Sequence, residues 1–394
     1  MKTTANLATQ IEEALLFRND ILEDFFSQEQ RKLAEACREM SERFLSGGRL
    51  LAFGRGACST DAQHVSVEFV HPVIVGKRAL PALDLSALMQ PWLDAICRPE
   101  DIVMGFGPPH GDPEVQTVLE SAQRHGAMTF SLPGASGSYA LQTSIEDPFI
   151  HQELVEIFYH TLWETVHVFL EHRELGQDVG ASEFLYPFLG TKKQETSSII
   201  NGVADSILMK VQEDTALRSR LATEEAEHIG ATALAIHERL TRGGKLIIFG
   251  NGGSATDAND WAMDSVFPSE GRRSIPAISL SMEPAIVTAL ANDVGTEVIF
   301  ARQLMAQASP EDIAIGISTS GGSRNIVMAL EEARKRKLLT VALLGNDGGE
   351  IARRGLADFP IIVRSDYIPR IQEVQASAYH IILETLEVLH GGYA

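Results

Sequence analysis

Two kinds of hydrophobic spacing take turns along the chain. Residues 6–46 and 194–241 carry apolar positions at three- and four-residue intervals with few breakers, which predicts long amphipathic helices. Short continuous apolar runs follow, at 246–249, 277–280, 313–317, 340–344 and 359–363 in the second half, separated by stretches of helical spacing. A run that is apolar at every position has no polar face to turn to water. Alternation of such runs with amphipathic helices therefore predicts an α/β fold, a parallel sheet covered by helices on both faces.

The pattern occurs twice. Gly47-Gly-Arg-Leu-Leu-Ala-Phe-Gly54 aligns with Gly243-Gly-Lys-Leu-Ile-Ile-Phe-Gly250, and Thr60-Asp-Ala62 aligns with Thr256-Asp-Ala258. Gln152-Glu153 and His160 repeat the spacing of Gln372-Glu373 and His380. A duplication predicts two similar domains, 1–175 and 194–394, each with a helical N-terminal extension. Gly176, Gly180, Pro187 and Gly190 mark about 173–193 as the linker. With 394 residues, 44% of them apolar, the chain can fill two cores.

Charge and cysteine usage remove other classes. A net charge of −20 argues against a nucleic-acid partner, which would need a basic stripe to displace phosphate counterions. The one basic run, Arg334-Lys-Arg-Lys337, ends a predicted helix, where cations complement the dipole. Cys37, Cys58 and Cys97 lack metal or redox spacing, which fits a reducing compartment. With no targeting segment in the first twenty residues and no stretch long enough for a bilayer, a cytoplasmic protein without membrane partners is expected.

Candidate chemistry begins with 312–323, an apolar run passing into Ser318-Thr-Ser-Gly-Gly-Ser323, followed by helical spacing from Arg324. Glycines let backbone N–H groups turn toward one point, the helix start adds partial positive charge, and four hydroxyls add donors. A helix cap needs only one or two of those hydroxyls, so the segment reads as a phosphate cradle. A second strand-to-helix junction, Gly250-Asn-Gly-Gly-Ser254, has the same character. In the first half Gly105-Phe-Gly-Pro-Pro-His-Gly111 stands at the loop position. Two prolines remove donors there and no serine replaces them, so this loop is not expected to bind phosphate.

The two junctions together resemble the sugar-phosphate isomerase (SIS) domain, and more narrowly phosphoheptose isomerase. The matching residues are Gly250-Asn-Gly-Gly-Ser-x-x-Asp257, Asn292-Asp293, Gly316-Ile-Ser-Thr-Ser-Gly321, and Arg370-Ile-Gln-Glu373 with His380 beyond, within about 196–390. The resemblance implies an aldose–ketose isomerase acting on a phosphorylated sugar of the sedoheptulose 7-phosphate type. It implies substrate binding by Asn251, Gly252, Ser254, Asp293, Ser318, Thr319, Ser320, Ser323 and Gln372.

A second set of residues bears on the reaction. His64 and Glu68 are four apart and share a helix face, while Gln152 and His160 lie two turns apart on another helix. All four are zinc-ligand types, although a helical His–Glu pair by itself is more often a surface contact. The resemblance implies that these positions carry the acid/base pair and, in some members, a zinc ion. Proton transfer then falls to Glu68 and either His160 or His380, with zinc polarising the carbonyl. The second-half counterparts are Asp260, Asp264, Gln372 and His380, and the shorter aspartates argue against metal there.

The halves look complementary, one keeping the His/Glu/Gln/His set and the other the phosphate loop. Asp264 lies ten residues after Ser254, about 15 Å along a helix, which favours sites shared between unlike copies. Since the resembled enzymes assemble four domains, a homodimer of this duplicated chain is expected, held by residues 6–46 and 194–241. The competing expectation is a non-catalytic sugar-phosphate sensor or protein-binding scaffold, similar to the DnaA initiator-associating protein. The retained His/Glu/Gln/His set favours the enzyme.

Overall fold

A computed structural model describes residues 4–72, 77–175 and 196–391; the expected linker lies, from 176 onward, outside the described residues. The first half runs α1 (Thr4–Leu45), β1 (Leu50–Gly54), α2 (Ser59–Val70), β2 (Ala82–Asp84), α3 (Met89–Ile96), β3 (Ile102–Phe106), α4 (Pro113–Arg124), β4 (Met128–Leu132), β5 (Tyr139–Ala140) and α5 (Pro148–Leu175). The second runs α6 (Thr196–Thr241), β6 (Leu246–Phe249), α7 (Gly253–Val266), β7 (Ala277–Ser279), α8 (Pro284–Asp293), α9 (Ile299–Gln307), β8 (Ile313–Ser318), α10 (Arg324–Lys335), β9 (Leu339–Gly345), α11 (Gly349–Arg353), β10 (Phe359–Val363) and α12 (Ile368–His390).

Both sheets are wholly parallel and share one topology. The first is ordered β2-β1-β3-β4-β5 and the second β7-β6-β8-β9-β10. Every residue of β1, β3 and β4, and of β6, β8 and β9, is buried, as their continuous apolar runs require. The duplication extends to details. Asp101 ties the base of β1 through Arg49 at 2.7 Å, and Asp312 ties the base of β6 through Lys245 at 2.6 Å. In each sheet the order reverses direction beside the first strand. Beyond the carboxyl ends of β6 and β8 lies the crevice where open α/β sheets bind ligands, and both glycine- and serine-rich loops open there.

The compact units are Asp20–Thr215, here the upstream unit, and Met1–Asn19 with Ala216–Ala394, the downstream unit. They differ from 1–175 and 194–394 because each long helix begins in one unit and ends in the other. The head of α1 is tied downstream by Arg18 to Glu384 at 2.6 Å and by Asn19, which accepts from Arg218 at 2.9 Å. The head of α6 is tied upstream by Lys210 to Glu164 at 2.6 Å, and Ile199, Val203, Ile207 and Val211 join the upstream core. Hydrophobic period identifies a helix but not which sheet its stripe covers. Among the described residues no helix is long and apolar enough to cross a membrane.

Candidate active site

In the downstream unit, β8 ends at Ser318 and the chain turns through Thr319-Ser-Gly-Gly322 before Ser323 begins α10. Gly321 has φ +60°, and a Cβ there would collide with the Gly348 carbonyl, so the loop's path requires glycine. Its amide donates to Ser318 Oγ at 3.2 Å, and the Gly322 amide donates to Ser320 Oγ at 3.2 Å. Ser323 occupies the cap position of α10, yet its side chain makes no cap hydrogen bond. Its Oγ instead lies 3.3 Å from Ser318 Oγ. Two hydroxyls thus converge at a helix start that Ser323 leaves uncapped, where the Ile326 amide donates to Asn325 Oδ1 at 3.0 Å.

The neighbouring junction adds Gly252, which starts α7 with no side-chain cap, and Ser254, which is buried in its first turn. Asn251 and Asn325 exchange amide hydrogen bonds at 2.9 and 2.8 Å, joining the loops after β6 and β8. Beside this pair lies a cavity of about 590 Å³ lined by Asn251, Thr296, Glu297, Arg324, Asn325 and Met328. Five of these, Thr296, Glu297, Arg324, Asn325 and Met328, carried no signal in the sequence, because residues outside a motif look like ordinary helix or loop surface. Asp293 is exposed at the end of α8, accepts from Asn292 at 2.7 Å and is not among the lining residues. Thr319 is half-buried, and its carbonyl packs against Gly345.

The upstream loop differs in kind. Asp112 stands where the downstream unit has Ser323, and its carboxylate accepts from the amides of Glu114 and Val115 at 2.8 and 3.1 Å. Arg55, at the position of Asn251, reaches Asp112 at 3.3 Å and Glu114 at 3.0 Å. A resident carboxylate therefore fills the anion position at the start of α4. This adds a second physical reason to the prolines for expecting no phosphate there.

His64 and Glu68 project from α2 and His160 from α5, and all three are buried rather than on the surface. The two Nε2 atoms are 3.4 Å apart, and Glu68 Oε1 is 3.8 Å from His64 Nε2. Ligand atoms from the three residues lie within 4.8 Å of one another. Two imidazoles on one tetrahedral zinc stand about 3.3 Å apart, given bonds of about 2.0–2.1 Å, so the set fits that ion. Gln152 lies two turns before His160 on α5 and is half-buried.

The downstream counterparts also converge, although their side chains are shorter. His380 Nε2 lies 3.7 Å from Asp260 and 3.6 Å from Asp264, and the three form a second candidate set within 4.8 Å. The Tyr379 hydroxyl donates to Asp260 at 2.7 Å, and its ring stacks on Trp261. Burial, reinforced by the Asp260 charge, pushes the Asp264 carboxyl up to about 6, with His380 pulling the other way. Aspartate loses reach, but α7 and α12 pack closely enough to restore it. Gln372 is buried two turns before His380, and beside it Glu373 is paired with Arg370.

A sequence model of the SIS domain matches residues 211–345. The phosphoheptose isomerase of Trichlorobacter lovleyi is 42% identical over 183 residues, covering 46% of this chain and 92% of that protein. This chain belongs to the phosphoheptose isomerase family of SIS-domain proteins. Another member, the phosphoheptose isomerase of Geobacter sp. strain M21, is 48% identical over 147 residues, 37% of this chain and 75% of its own. The C-terminal domain of glucosamine-fructose-6-phosphate aminotransferase from Francisella tularensis matches 96% of this chain and 95% of its own with a TM-score of 0.64. At 9% identity that is a likeness of fold. Sequence kinship with the family thus spans just under half of the chain, while the fold likeness spans both units.

Proposed function

We propose that the protein is an aldose–ketose isomerase that interconverts sedoheptulose 7-phosphate and a heptose 7-phosphate. The observation that carries this reading is the pair Ser318 and Ser323, whose hydroxyls converge at an uncapped helix start beside an open cavity. A terminal phosphate there accepts from the loop hydroxyls and from amides released by the loop. Ser254, Gly252 and Asn251 flank it, and the sugar chain extends into the cavity.

Isomerisation moves a proton between adjacent carbons through an enediol. In the upstream unit Glu68 is the base for the carbon-bound proton with His160 as its proton-returning partner, and in the downstream unit, which holds the cradle, His380 is the proton-returning group. Zinc would be held by His64, Glu68 and His160, with Gln152 as a fourth ligand, and when bound supplies a Lewis acid for the carbonyl oxygen. Burial of all three clustered groups excludes the water that would weaken their fields.

A scaffold or sensor reading is favoured by one observation, the carboxylate-filled upstream loop, and it predicts phosphate binding without turnover. Turnover of sedoheptulose 7-phosphate by the purified chain separates the two. Glu68→Gln and His380→Gln should each lower kcat by about 100-fold or more. Ser318→Ala with Ser323→Ala should instead raise KM, by about tenfold or more for each lost hydrogen bond to the charged group. Binding without any turnover would remove the isomerase reading.

A further inference from the structure

The cavity beside the Asn251–Asn325 pair has opposite charges on its walls. Arg324 is the first residue of α10, directly after the cradle serine, and Glu297 belongs to a short 3-10 turn, Thr296–Val298. Both side chains are exposed, and among the described residues neither ion-pairs with the other or with any third group. The Glu297 carboxylate lies over Gly295, where a Cβ would come 2.9 Å from its Oε2. Unspent charges of opposite sign on one cavity are an arrangement for reading a ligand with unlike ends.

We infer that Arg324 and Glu297 set substrate specificity, selecting a sugar with a single anionic end; this rests on the sugar-phosphate reading above. Arg324 supplies the formal positive charge that the serine cradle lacks, and it takes the second charge of a phosphate dianion. Glu297 accepts hydrogen bonds from hydroxyls further along the sugar. A second phosphate or a carboxylate at that end would meet Glu297 as a like charge across the open cavity. The site thereby rejects bisphosphates and phosphorylated sugar acids by repulsion, while the cradle alone would accept any of them.

Calorimetry on the full chain tests this with sedoheptulose 7-phosphate, fructose 1,6-bisphosphate and 6-phosphogluconate as probes. The unmodified chain should prefer the monophosphate over either double anion by roughly tenfold or more, the size of one unfavourable charge contact. Glu297→Gln should shrink that preference by roughly tenfold, and Arg324→Ala should weaken all three probes and flatten their salt dependence. Both residues are exposed, so both variants should keep the far-UV circular dichroism of the parent. If the monophosphate binds but Glu297→Gln leaves the preference unchanged, the specificity assignment is overturned and the isomerase reading survives. If no probe binds the unmodified chain, both fall together.

Discussion

Ser323 and Asp112 occupy the same place in two copies of one loop, and the difference between them separates an open cradle from a filled one. A hydroxyl left off its cap can serve a ligand; a carboxylate on two amides and an arginine is already satisfied. The cradle was legible in the sequence because its hydroxyls and glycines are consecutive. Glu297 and Arg324 were not, since only the fold brings distant residues to one cavity. Another residue with a measurable signature is Glu225 on α6, half-buried near Arg364 and Glu224. Burial pushes its carboxyl from 4.5 to about 7, with Arg364 opposing and Glu224 adding to the shift. The folded chain thus holds a proton there that the unfolded chain releases above about 4.5. Its stabilising contribution is complete below pH 4.5 and is lost as pH rises to about 7. Glu225→Gln should therefore gain stability relative to the parent across that window in denaturant unfolding. A gap between the two that is constant with pH would refute the shift.

At the scale of elements, the parallel strands and long helices follow from period alone, and the two sheet orders repeat as the duplicated motifs require. Two features did not follow. Helix α8 has an apolar sequence, Pro284-Ala-Ile-Val-Thr-Ala-Leu-Ala, yet none of its residues is buried, so apolar composition alone does not place a helix in the core. The second difference concerns metal. Side-chain length argues against metal at Asp260 and Asp264, while the approach of α7 to α12 brings both within 3.7 Å of His380. Inter-helix distance cannot be read from one helix's sequence. Zinc analysis of purified protein should find the ion, and His64→Ala with Glu68→Ala should remove it. Should zinc persist in that double variant and vanish in Asp264→Ala, the downstream set is the metal centre.

For the whole molecule, duplication bears on assembly. Family kinship and the fused pair of sheets lead us to propose a homodimer, and static light scattering should return twice the 43.0 kDa chain mass. A monomer would defeat the proposal.

The exchanged heads of α1 and α6 also impose an order on synthesis. A ribosome that has finished Leu175 has not yet made the upstream unit, because Ile199 to Val211 complete its core. The first nineteen residues, though made earliest, wait for Glu384 near the end of the chain. Neither repeat can be cut out at its sequence boundary and remain whole. Genes split between residues 175 and 196 would yield two fragments, each carrying a helix head that the other lacks. Such fragments should fold only when expressed together, so an ancestral single-repeat chain can be rebuilt from this one only by returning each head to its own sheet.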